Sequence, residues 1–226
     1  MADFTLIQKI IVWALPVIFA ITAHEVAHGW VALKLGDRTA QMMGRLTLNP
    51  LKHIDPIGTI LVPGVLLVMG GFIFGWAKPV PVTFQNLRHP KSDMVWVALA
   101  GPMANLIMAV IWALIAKLGL TLLQSGVELG APMVYMGVAG VLINTMLMML
   151  NLLPLPPLDG GRVLVGLLPG PLSWKVSQIE PYGFFILVGL LYFGILSMVL
   201  LPLMGAFFSL LAVIFNLPPQ IFTIFL

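Results

Sequence analysis

Cysteine is absent from this chain of 226 residues, and charged side chains make up only 8% of it. Without cysteine the chain forms no disulfide and offers no thiolate to a metal, so a metal site would have to use histidine, aspartate or glutamate. A soluble domain carries about 25% charged residues. Because 60% of the residues are hydrophobic, the composition instead predicts a multi-pass protein of the cell membrane, in contact with the lipid bilayer.

Long apolar runs organise the chain. Each bilayer crossing needs about 20 apolar residues, so the length predicts one all-α membrane domain over residues 1–226 with about five full transmembrane helices. Residues 57–75 are apolar but interrupted by Pro-Gly and Gly-Gly pairs, and we expect them to be re-entrant. Residues 39–48 predict a short membrane-associated β-like region. The expected helices cover residues 5–35, 94–116, 132–153, 183–201 and 203–217, the last two forming a C-terminal helical hairpin around Pro202.

The most informative pattern is the pentapeptide His-Glu-Val-Ala-His at residues 24–28, inside the first apolar run. On an α-helix His24 and His28 lie about 40° apart, so both imidazoles can reach one ion, and Glu25 lies about 60° beyond His28 on the same side. The H-E-x-x-H pattern is a signature of zinc proteases. An acid at the middle of a bilayer costs about 2.5–3.5 kcal/mol on insertion scales, so its presence there indicates a function.

A third metal ligand is needed, because a catalytic zinc ion usually has three protein ligands and a water. Glu128 and Glu180 lie in polar turns, whereas Asp159 follows more than twenty apolar residues in the Pro/Gly-rich segment 154–161. We expect this segment not to be regular helix. Irregular backbone at membrane depth is tolerated only where it is buried in protein or lines a wet cavity, which favours Asp159.

Three segments together resemble the site-2 protease family of intramembrane zinc metalloproteases. They are residues 24–28, residues 101–105 (Gly-Pro-Met-Ala-Asn) and residues 151–160 (Asn-Leu-Leu-Pro-Leu-Pro-Pro-Leu-Asp-Gly). Residues 44–56 and 75–82 are also similar to the compact bacterial and archaeal members. The resemblance spans roughly residues 15–165. Many relatives carry a PDZ or CBS domain, and we expect neither here.

The resemblance assigns roles to five residues of this chain. It implies His24, His28 and Asp159 as ligands of one Zn²⁺, Glu25 as the catalytic base, and Asn151 as a residue that helps to hold the substrate or the transition state. The catalytic core would cover about residues 5–165. Asn144 shares a helix face with Asn151, and we expect both to bind substrate; hydrogen bonding to a neighbouring helix is the alternative for each.

The position of the two motifs constrains the topology. Both lie towards the C-terminal ends of their helices and must meet at one depth, so those helices should run in the same direction. Residues 57–75 must then return to the side from which they came. This arrangement places all of the Lys and Arg residues except Lys9 and Lys117 on the face near the site. The positive-inside rule therefore predicts an active site nearer the cytoplasmic face.

The expected reaction is hydrolysis of a peptide bond within or near a transmembrane helix of a membrane-protein substrate. The alternative is an intramembrane metal-ion or proton transporter, whose pathway would also contain His and acidic groups. Transporters often consist of two related halves, and this sequence has no visible internal symmetry. We expect no nucleic-acid partner. Either a gate among residues 183–217 or a regulatory membrane partner would control the access of substrate.

Overall fold

The computed structural model describes residues 5–61, 65 and 78–225, and all regular secondary structure within them is helical. Short 3-10 helices cover Pro50–Lys52, Phe84–Asn86, Glu180–Tyr182 and Pro219–Thr223, and a π-helical segment covers Pro56–Leu61. In chain order the α-helices are α1 (Leu6–Lys34), α2 (Thr39–Met42), α3 (Pro90–Gln124), α4 (Gly130–Asn151), α5 (Asp159–Leu167), α6 (Gly170–Ser177), α7 (Gly183–Tyr192) and α8 (Ile195–Phe215).

Four helices of the described residues are long and apolar enough to cross a bilayer: α1 from Ile10, α3, α4 and α8. The all-α membrane fold is confirmed, but five crossings are not. The break expected at Pro202 lies instead at Gly194, whose φ of +73° is a left-handed conformation that ends α7. Pro202 lies inside α8, and the ten residues of α7 are too few to span.

The β-like region predicted for residues 39–48 is wrong. Residues 39–42 form α2, because the Asp37 side chain accepts hydrogen bonds from the backbone N–H and the hydroxyl of Thr39 and so starts a helical turn. Gly44 then adopts a φ of +61°, which interrupts any extended strand. The strand-like character of this segment was therefore overridden by the hydrogen bonds of Asp37 and by the turn at Gly44.

The described contacts fix the relative directions of three membrane helices. Along α1, His24 bonds to Asn105 and His28 bonds to Val97, so α1 and α3 are antiparallel. Asn105 also bonds to Asn144, while Gly130 of α4 packs against the C-terminal turns of α3, so α3 and α4 are antiparallel as well. It follows that α1 and α4 run in the same direction, as the sequence predicts.

The connection between α1 and α3 leaves and returns at one end of the bundle. The Arg88 N–H donates to the Leu35 carbonyl at 3.0 Å, and the Lys78 N–H donates to the His53 carbonyl at 2.9 Å. The chain on either side of the predicted re-entrant segment is thus joined, which agrees with a return to the same side. Most of the predicted segment 57–75, namely residues 62–64 and 66–75, lies outside the described residues.

Small residues let α3 and α4 pack closely. A Cβ on Gly137 would lie 2.6 Å from the Ala116 nitrogen, and a Cβ on Gly140 would lie 2.1 Å from the Trp112 ring. Such contacts favour helix association in membranes, where burial of apolar surface gives little driving force. The main apolar cluster extends from Trp112 across α4 to α8, and it holds rigid the three helices behind the site.

Candidate metal centre

The structure brings the three predicted metal ligands together. His24 and His28 lie one turn apart on α1, with their Nε2 atoms 3.0 Å from each other. The Oδ2 atom of Asp159 lies 3.2 Å from the His24 Nε2 and 3.4 Å from the His28 Nε2. All three residues are buried. Residues more than 120 positions apart in the chain therefore offer three ligand atoms to one point.

Asp159 reaches this point from the first residue of α5, which corrects one expectation. Residues 159–161 were expected to be irregular, but they begin a helix, and the irregular backbone is confined to residues 152–158. Glycine makes this possible, because a Cβ on Gly160 would lie 2.2 Å from the Leu152 carbonyl oxygen and one on Gly161 would lie 2.2 Å from the Pro156 nitrogen. The first turn of α5 therefore packs directly on the turn before it.

The arrangement fits a tetrahedral zinc ion. Zinc binds nitrogen and oxygen ligands at about 2.0–2.2 Å, which puts neighbouring ligands of a tetrahedral site about 3.3–3.5 Å apart. The three observed separations of 3.0–3.4 Å are close to that spacing. In addition, the Asp159 Oδ2 is buried without a hydrogen-bond donor. A buried carboxylate oxygen needs a compensating partner, and a cation held by these three residues would provide one.

Each imidazole is oriented by a carbonyl oxygen on its other nitrogen. The His24 Nδ1 donates to the Asn105 Oδ1 at 2.6 Å, and the His28 Nδ1 donates to the Val97 carbonyl at 2.7 Å. Because both partners are acceptors, the proton of each neutral ring lies on Nδ1 and the Nε2 lone pair is available to a metal. For each ring, the hydrogen bond at Nδ1 therefore sets the tautomer that metal binding requires.

Asn105 is a functional residue that the sequence reasoning quoted but gave no role. Its Nδ2 donates to the Ala20 carbonyl at 3.2 Å and to the Asn144 Oδ1 at 2.9 Å. The Ala20 carbonyl can only accept, so this contact turns the Asn105 Oδ1 towards His24. The signal that could have found it was an asparagine one turn after Gly101 in an apolar run.

Gly101 is the second residue without a predicted role. A Cβ at this position would lie 2.4 Å from the His28 Nε2 and 2.6 Å from the His24 Nε2. Both distances are shorter than any real carbon contact with these atoms. Only glycine therefore lets α3 approach the two ligand nitrogens, and any side chain here would occupy the position of the ion.

The two predicted substrate-binding asparagines lie in different places. Asn151 lines the cavity in front of the metal ligands, and its Nδ2 donates to the Leu147 carbonyl at 3.0 Å. Asn144 is fully buried behind His24, where it bonds to Asn105 and donates to the Gly140 carbonyl at 2.8 Å. The contacts of Asn144 thus match the interhelical alternative, while Asn151 is placed where a substrate could reach it.

The cavity has a volume of about 180 Å³, and it contains Glu25 together with the three metal ligands. The Glu25 Oε2 accepts a hydrogen bond from the Val80 N–H at 2.7 Å. Both apolar side chains and polar groups line its wall, and among the described residues Arg162 is the one Lys or Arg side chain there. The Arg162 guanidinium lies over the Phe84 ring and 4.0 Å from Glu180. The Glu25 carboxylate, the three predicted metal ligands and the Arg162 cation therefore share one opening.

The chain is similar in sequence to curated bacterial proteins whose names describe zinc metalloproteases. It is 42% identical over 197 residues to "Putative zinc metalloprotease YwhC" of Bacillus subtilis (strain 168), covering 84% of each chain. It is 31% identical over 175 residues to "Putative zinc metalloprotease Rip2" of Mycolicibacterium smegmatis, covering 77% of this chain and 64% of that one. The protein of the same name from Mycobacterium tuberculosis H37Rv is 30% identical over 138 residues, which are 61% of this chain and 49% of the relative. No protein-family model matches the chain, and no solved structure matches it significantly.

An apolar helix bundle whose buried His-Glu-x-x-His helix meets an aspartate defines a membrane-embedded zinc metalloprotease. The similarity over 84% of the Bacillus relative agrees with this class. The chain belongs to the site-2 protease family. None of these relatives carries a transporter name, and the transporter alternative gains no support from them.

Proposed function

We propose that this chain hydrolyses a peptide bond within or near a transmembrane helix of another membrane protein, with one Zn²⁺ held by His24, His28 and Asp159. The observation that carries the proposal is the convergence of these three ligand atoms within 4.8 Å of one another, in the cavity that also contains Glu25. Three ligands and an open side are the pattern of catalytic zinc sites, whereas structural sites have four protein ligands.

The zinc ion, when bound, supplies a Lewis acid that acidifies a water molecule and polarises the scissile carbonyl. Glu25 is the group of this chain that takes the proton of the attacking water and passes it to the leaving amine. One of its carboxylate oxygens, Oε2, is held by the Val80 N–H, so Oε1 is the oxygen assigned to the proton. A general base must lie within hydrogen-bond reach of its water, and Glu25 follows directly after a metal ligand.

Asn151 and Arg162 are the cavity residues proposed to bind the substrate backbone. Both line the cavity and carry N–H groups, which can donate to substrate carbonyl oxygens. The remaining wall includes Val80, Val82 and Phe84, which suits an apolar segment. A transmembrane helix has its carbonyls bonded internally, so the substrate must unwind locally before these donors can reach it.

The site is proposed to lie near the cytoplasmic face. Trp30 and Trp96 are 55% and 63% exposed, and each is close in sequence to a residue of the His28–Val97 contact. Exposed tryptophan is enriched at membrane–water interfaces, which supports a site near one surface. The same end of the bundle carries the C-terminal Lys34 of α1 and the Lys91 of the first turn of α3, and cytoplasmic loops have an excess of such residues.

Access of the substrate is proposed to depend on movement among residues 183–217 or on a membrane partner. In this region α7 makes few contacts with the other described helices apart from α8. Many of its side chains are exposed, including Phe185 at 72%. These properties suit a lateral gate, because elements with few buried contacts open at low free-energy cost.

The proposal is tested by proteolysis in liposomes. The probe is a tagged single-span protein whose transmembrane segment contains helix-breaking Asn and Gly residues. We expect wild-type protein to cleave it, a zinc chelator to stop cleavage, and added zinc to restore it. Glu25→Gln should lower the rate by about 10²–10⁴-fold, the usual contribution of a general base, while zinc binding is retained.

Glu128→Gln is the matched control, because it makes the same chemical change at an exposed residue between α3 and α4. It should cleave as the wild type does. Cleavage that survives in Glu25→Gln would contradict the proposal. Movement of zinc or protons across the liposome membrane, unchanged in Glu25→Gln, would favour the transporter instead.

A further inference from the structure

Residues 78–83, which we call the strap, cross directly in front of Glu25. The strap has no regular secondary structure. Pro79 and Pro81 have no N–H, so Val80 carries the one backbone donor between them. The Val80 N–H donates to the Glu25 Oε2 at 2.7 Å. A backbone amide of the strap is therefore the observed hydrogen-bond donor to the predicted catalytic base.

The strap is tied at its first residues by Arg45. The Arg45 Nη2 donates to the Lys78 carbonyl at 3.0 Å and to the Pro79 carbonyl at 3.3 Å. The Lys78 N–H donates in turn to the His53 carbonyl at 2.9 Å. The bonds from Arg45 fix the Lys78–Pro79 peptide group and the Pro79–Val80 peptide group, which carries the Val80 N–H itself.

The other end of the strap is tied by Asp37. The Thr83 N–H donates to the Asp37 Oδ2 at 2.7 Å. The other carboxylate oxygen accepts from the Thr39 N–H at 3.0 Å and from the Asn86 Nδ2 at 3.1 Å. Asp37 is only 1% exposed. Two buried charged residues, one at each end, therefore hold the strap to the segment that follows α1.

Burial of the Arg45 side chain is costly, which indicates that its hydrogen bonds to the strap are needed. Arg45 is only 7% exposed, and no ion pair of the described residues includes it. Its Nε has no hydrogen-bond partner. A buried cation without a carboxylate is costly, and a neutral side chain would avoid that cost if the position only filled space. What Arg45 provides is two hydrogen bonds to the strap.

The strap also packs tightly against α1 beside the metal ligands. A Cβ on Gly29, the residue after His28, would lie 2.7 Å from the Val80 Cγ1 and 2.8 Å from the Leu46 Cδ2. Glycine at this position therefore lets the strap approach the helix. The distance between the Val80 amide and Glu25 depends on this approach and on the two ties.

We propose that Arg45 is a positioning residue for the catalytic base: it fixes the strap so that the Val80 N–H holds one oxygen of Glu25 and directs the other to the attacking water. The inference rests on the proposed function and deepens it. Arg45 touches neither substrate nor metal, and its effect passes through the backbone of residues 78–80. Loss of Arg45 should thus disturb Glu25 while the metal ligands stay in place.

The test measures the binding of a simple peptide hydroxamate to the zinc-loaded protein in detergent, by calorimetry, together with zinc affinity by competition with a chelator. A hydroxamate chelates zinc and donates a hydrogen bond to a neighbouring carboxylate, so its affinity reports the position of Glu25 without a known substrate. Arg45→Ala should weaken hydroxamate binding about tenfold or more, within the 10–100-fold range for groups that orient a metal site. Zinc affinity should not change.

Two further variants separate positioning from a general loss of structure. Replacement of Val80 by its α-hydroxy acid keeps the side chain, removes the N–H and makes the Pro79 carbonyl a weaker acceptor, and it should weaken hydroxamate binding as Arg45→Ala does. Arg45→Lys retains a cation but loses the fork of donors, so it should fall between wild type and Arg45→Ala. Arg38→Ala, which removes an exposed cation from the same loop, should bind as wild type does.

The decisive comparison is a double-mutant cycle with Glu25→Gln. If Arg45 acts through Glu25, then Arg45→Ala should change hydroxamate affinity by less than about twofold in the Glu25→Gln background. An equal loss of hydroxamate affinity in both backgrounds would overturn this inference and leave the proposed function intact. So would wild-type affinity in the protein that carries the α-hydroxy acid in place of Val80. Wild-type protein that binds no zinc would overturn the proposed function and the inference with it.

Discussion

At the scale of single residues, the metal centre depends on what lies behind each ligand. The two imidazoles can bind a metal through Nε2 only if Nδ1 carries the proton, and the Asn105 side chain and the Val97 carbonyl both enforce this. The two partners differ in kind. A backbone carbonyl survives any substitution, whereas Asn105 can be removed, so His24 is the ligand whose orientation can be tested.

We expect Asn105→Ala to weaken zinc binding by about 10–100-fold, as is usual for the loss of a group that orients a ligand. Asn144→Ala should weaken zinc binding less than Asn105→Ala does, because Asn105 would keep the contact with the Ala20 carbonyl that sets its orientation. Asn49→Ala, which changes an exposed loop asparagine, is the control. Competition with a chelator measures all three, and equal affinity in Asn105→Ala and the control would show that His24 needs no partner.

The sequence predicted that His24, His28 and Asp159 meet, but not which residues orient them. His24, His28 and Asp159 could be found because charged and polar groups in apolar segments are costly and so mark a function. Asn105 carried the same signal more weakly, since an asparagine in a membrane helix also serves as an ordinary bond between helices. Asn144 fits that second role. Which asparagine faces a ligand depends on helix rotation, and the apolar sequence around it does not specify that rotation.

At the scale of secondary-structure elements, α3 forms the back wall of the site. Pro90 begins the helix at a position where the missing N–H has no cost, and Gly101 then passes within contact of both ligand nitrogens. Pro102 follows inside the helix. At Gly101 α3 therefore presents no side chain to α1, and the nitrogens of the two predicted histidine ligands lie there.

We expect Gly101→Ala to abolish zinc binding, because the added methyl group would overlap the His28 Nε2 and the space for the ion. Gly205→Ala in α8 is the matched control, since a Cβ there meets no atom within 4 Å. The control should bind zinc normally and gain slightly in stability, because alanine favours helix by about 1 kcal/mol over glycine. Zinc stoichiometry by atomic absorption distinguishes the two, and one bound zinc in Gly101→Ala would contradict this packing.

Asp37, which ties one end of the strap, should make the stability of the fold depend on pH. Burial alone would raise the pKa of Asp37, but hydrogen bonds from Thr39, Thr83 and Asn86 outweigh it and leave the pKa below its usual value. The folded protein therefore binds the proton less readily than the unfolded chain, so this stabilisation is complete above the ordinary aspartate pKa of about 3.9 and is lost as pH falls through the lowered folded value.

Thermal unfolding in detergent checks this dependence. We expect Asp37→Ala to lower Tm at neutral pH, and the difference from wild type to shrink once the pH falls below about 3.9. Glu128→Ala, at an exposed acid, should show no such dependence. A Tm difference that grows towards acid pH would mean that the Asp37 carboxylate destabilises the fold.

Helix boundaries show where local chemistry overrides a sequence pattern. Pro202 was expected to divide two helices because proline lacks an N–H, yet proline is tolerated in membrane helices when neighbouring groups satisfy the backbone. Gly194 makes the break instead. The ends of α1 and α4 lie within two residues of the predicted ones, whereas α3 ends at Gln124 instead of 116 and α8 begins at Ile195 instead of 203. The position of a turn depends on one or two residues, and these are a weaker signal in the sequence than a long apolar run.

At the scale of the whole molecule, the site and most of the basic side chains share one end of the bundle. The C-terminus of α1 and the N-terminus of α3 meet there, joined by the bond between Arg88 and Leu35. Lys117 lies towards the opposite end, where its Nζ donates to the Asn216 carbonyl after α8. The charge asymmetry predicts orientation in the cell membrane.

A chain without cysteine allows this orientation to be tested by labelling single introduced cysteines. Ser92→Cys lies at the site end of α3, and Ser125→Cys lies just after the opposite end. Both positions are exposed. We expect a membrane-impermeant maleimide to label Ser125→Cys in intact cells, and Ser92→Cys only after the cells are opened. The reverse pattern would place the site at the outer face.

The most direct test of the whole account is X-ray absorption spectroscopy at the zinc edge, on protein loaded with one equivalent of zinc. The account predicts two imidazole nitrogens and oxygen ligands at about 2.0–2.2 Å, with one imidazole lost in His28→Ala and zinc binding greatly weakened in Asp159→Ala. A spectrum without imidazole ligands, or one that Asp159→Ala leaves unchanged, would contradict it.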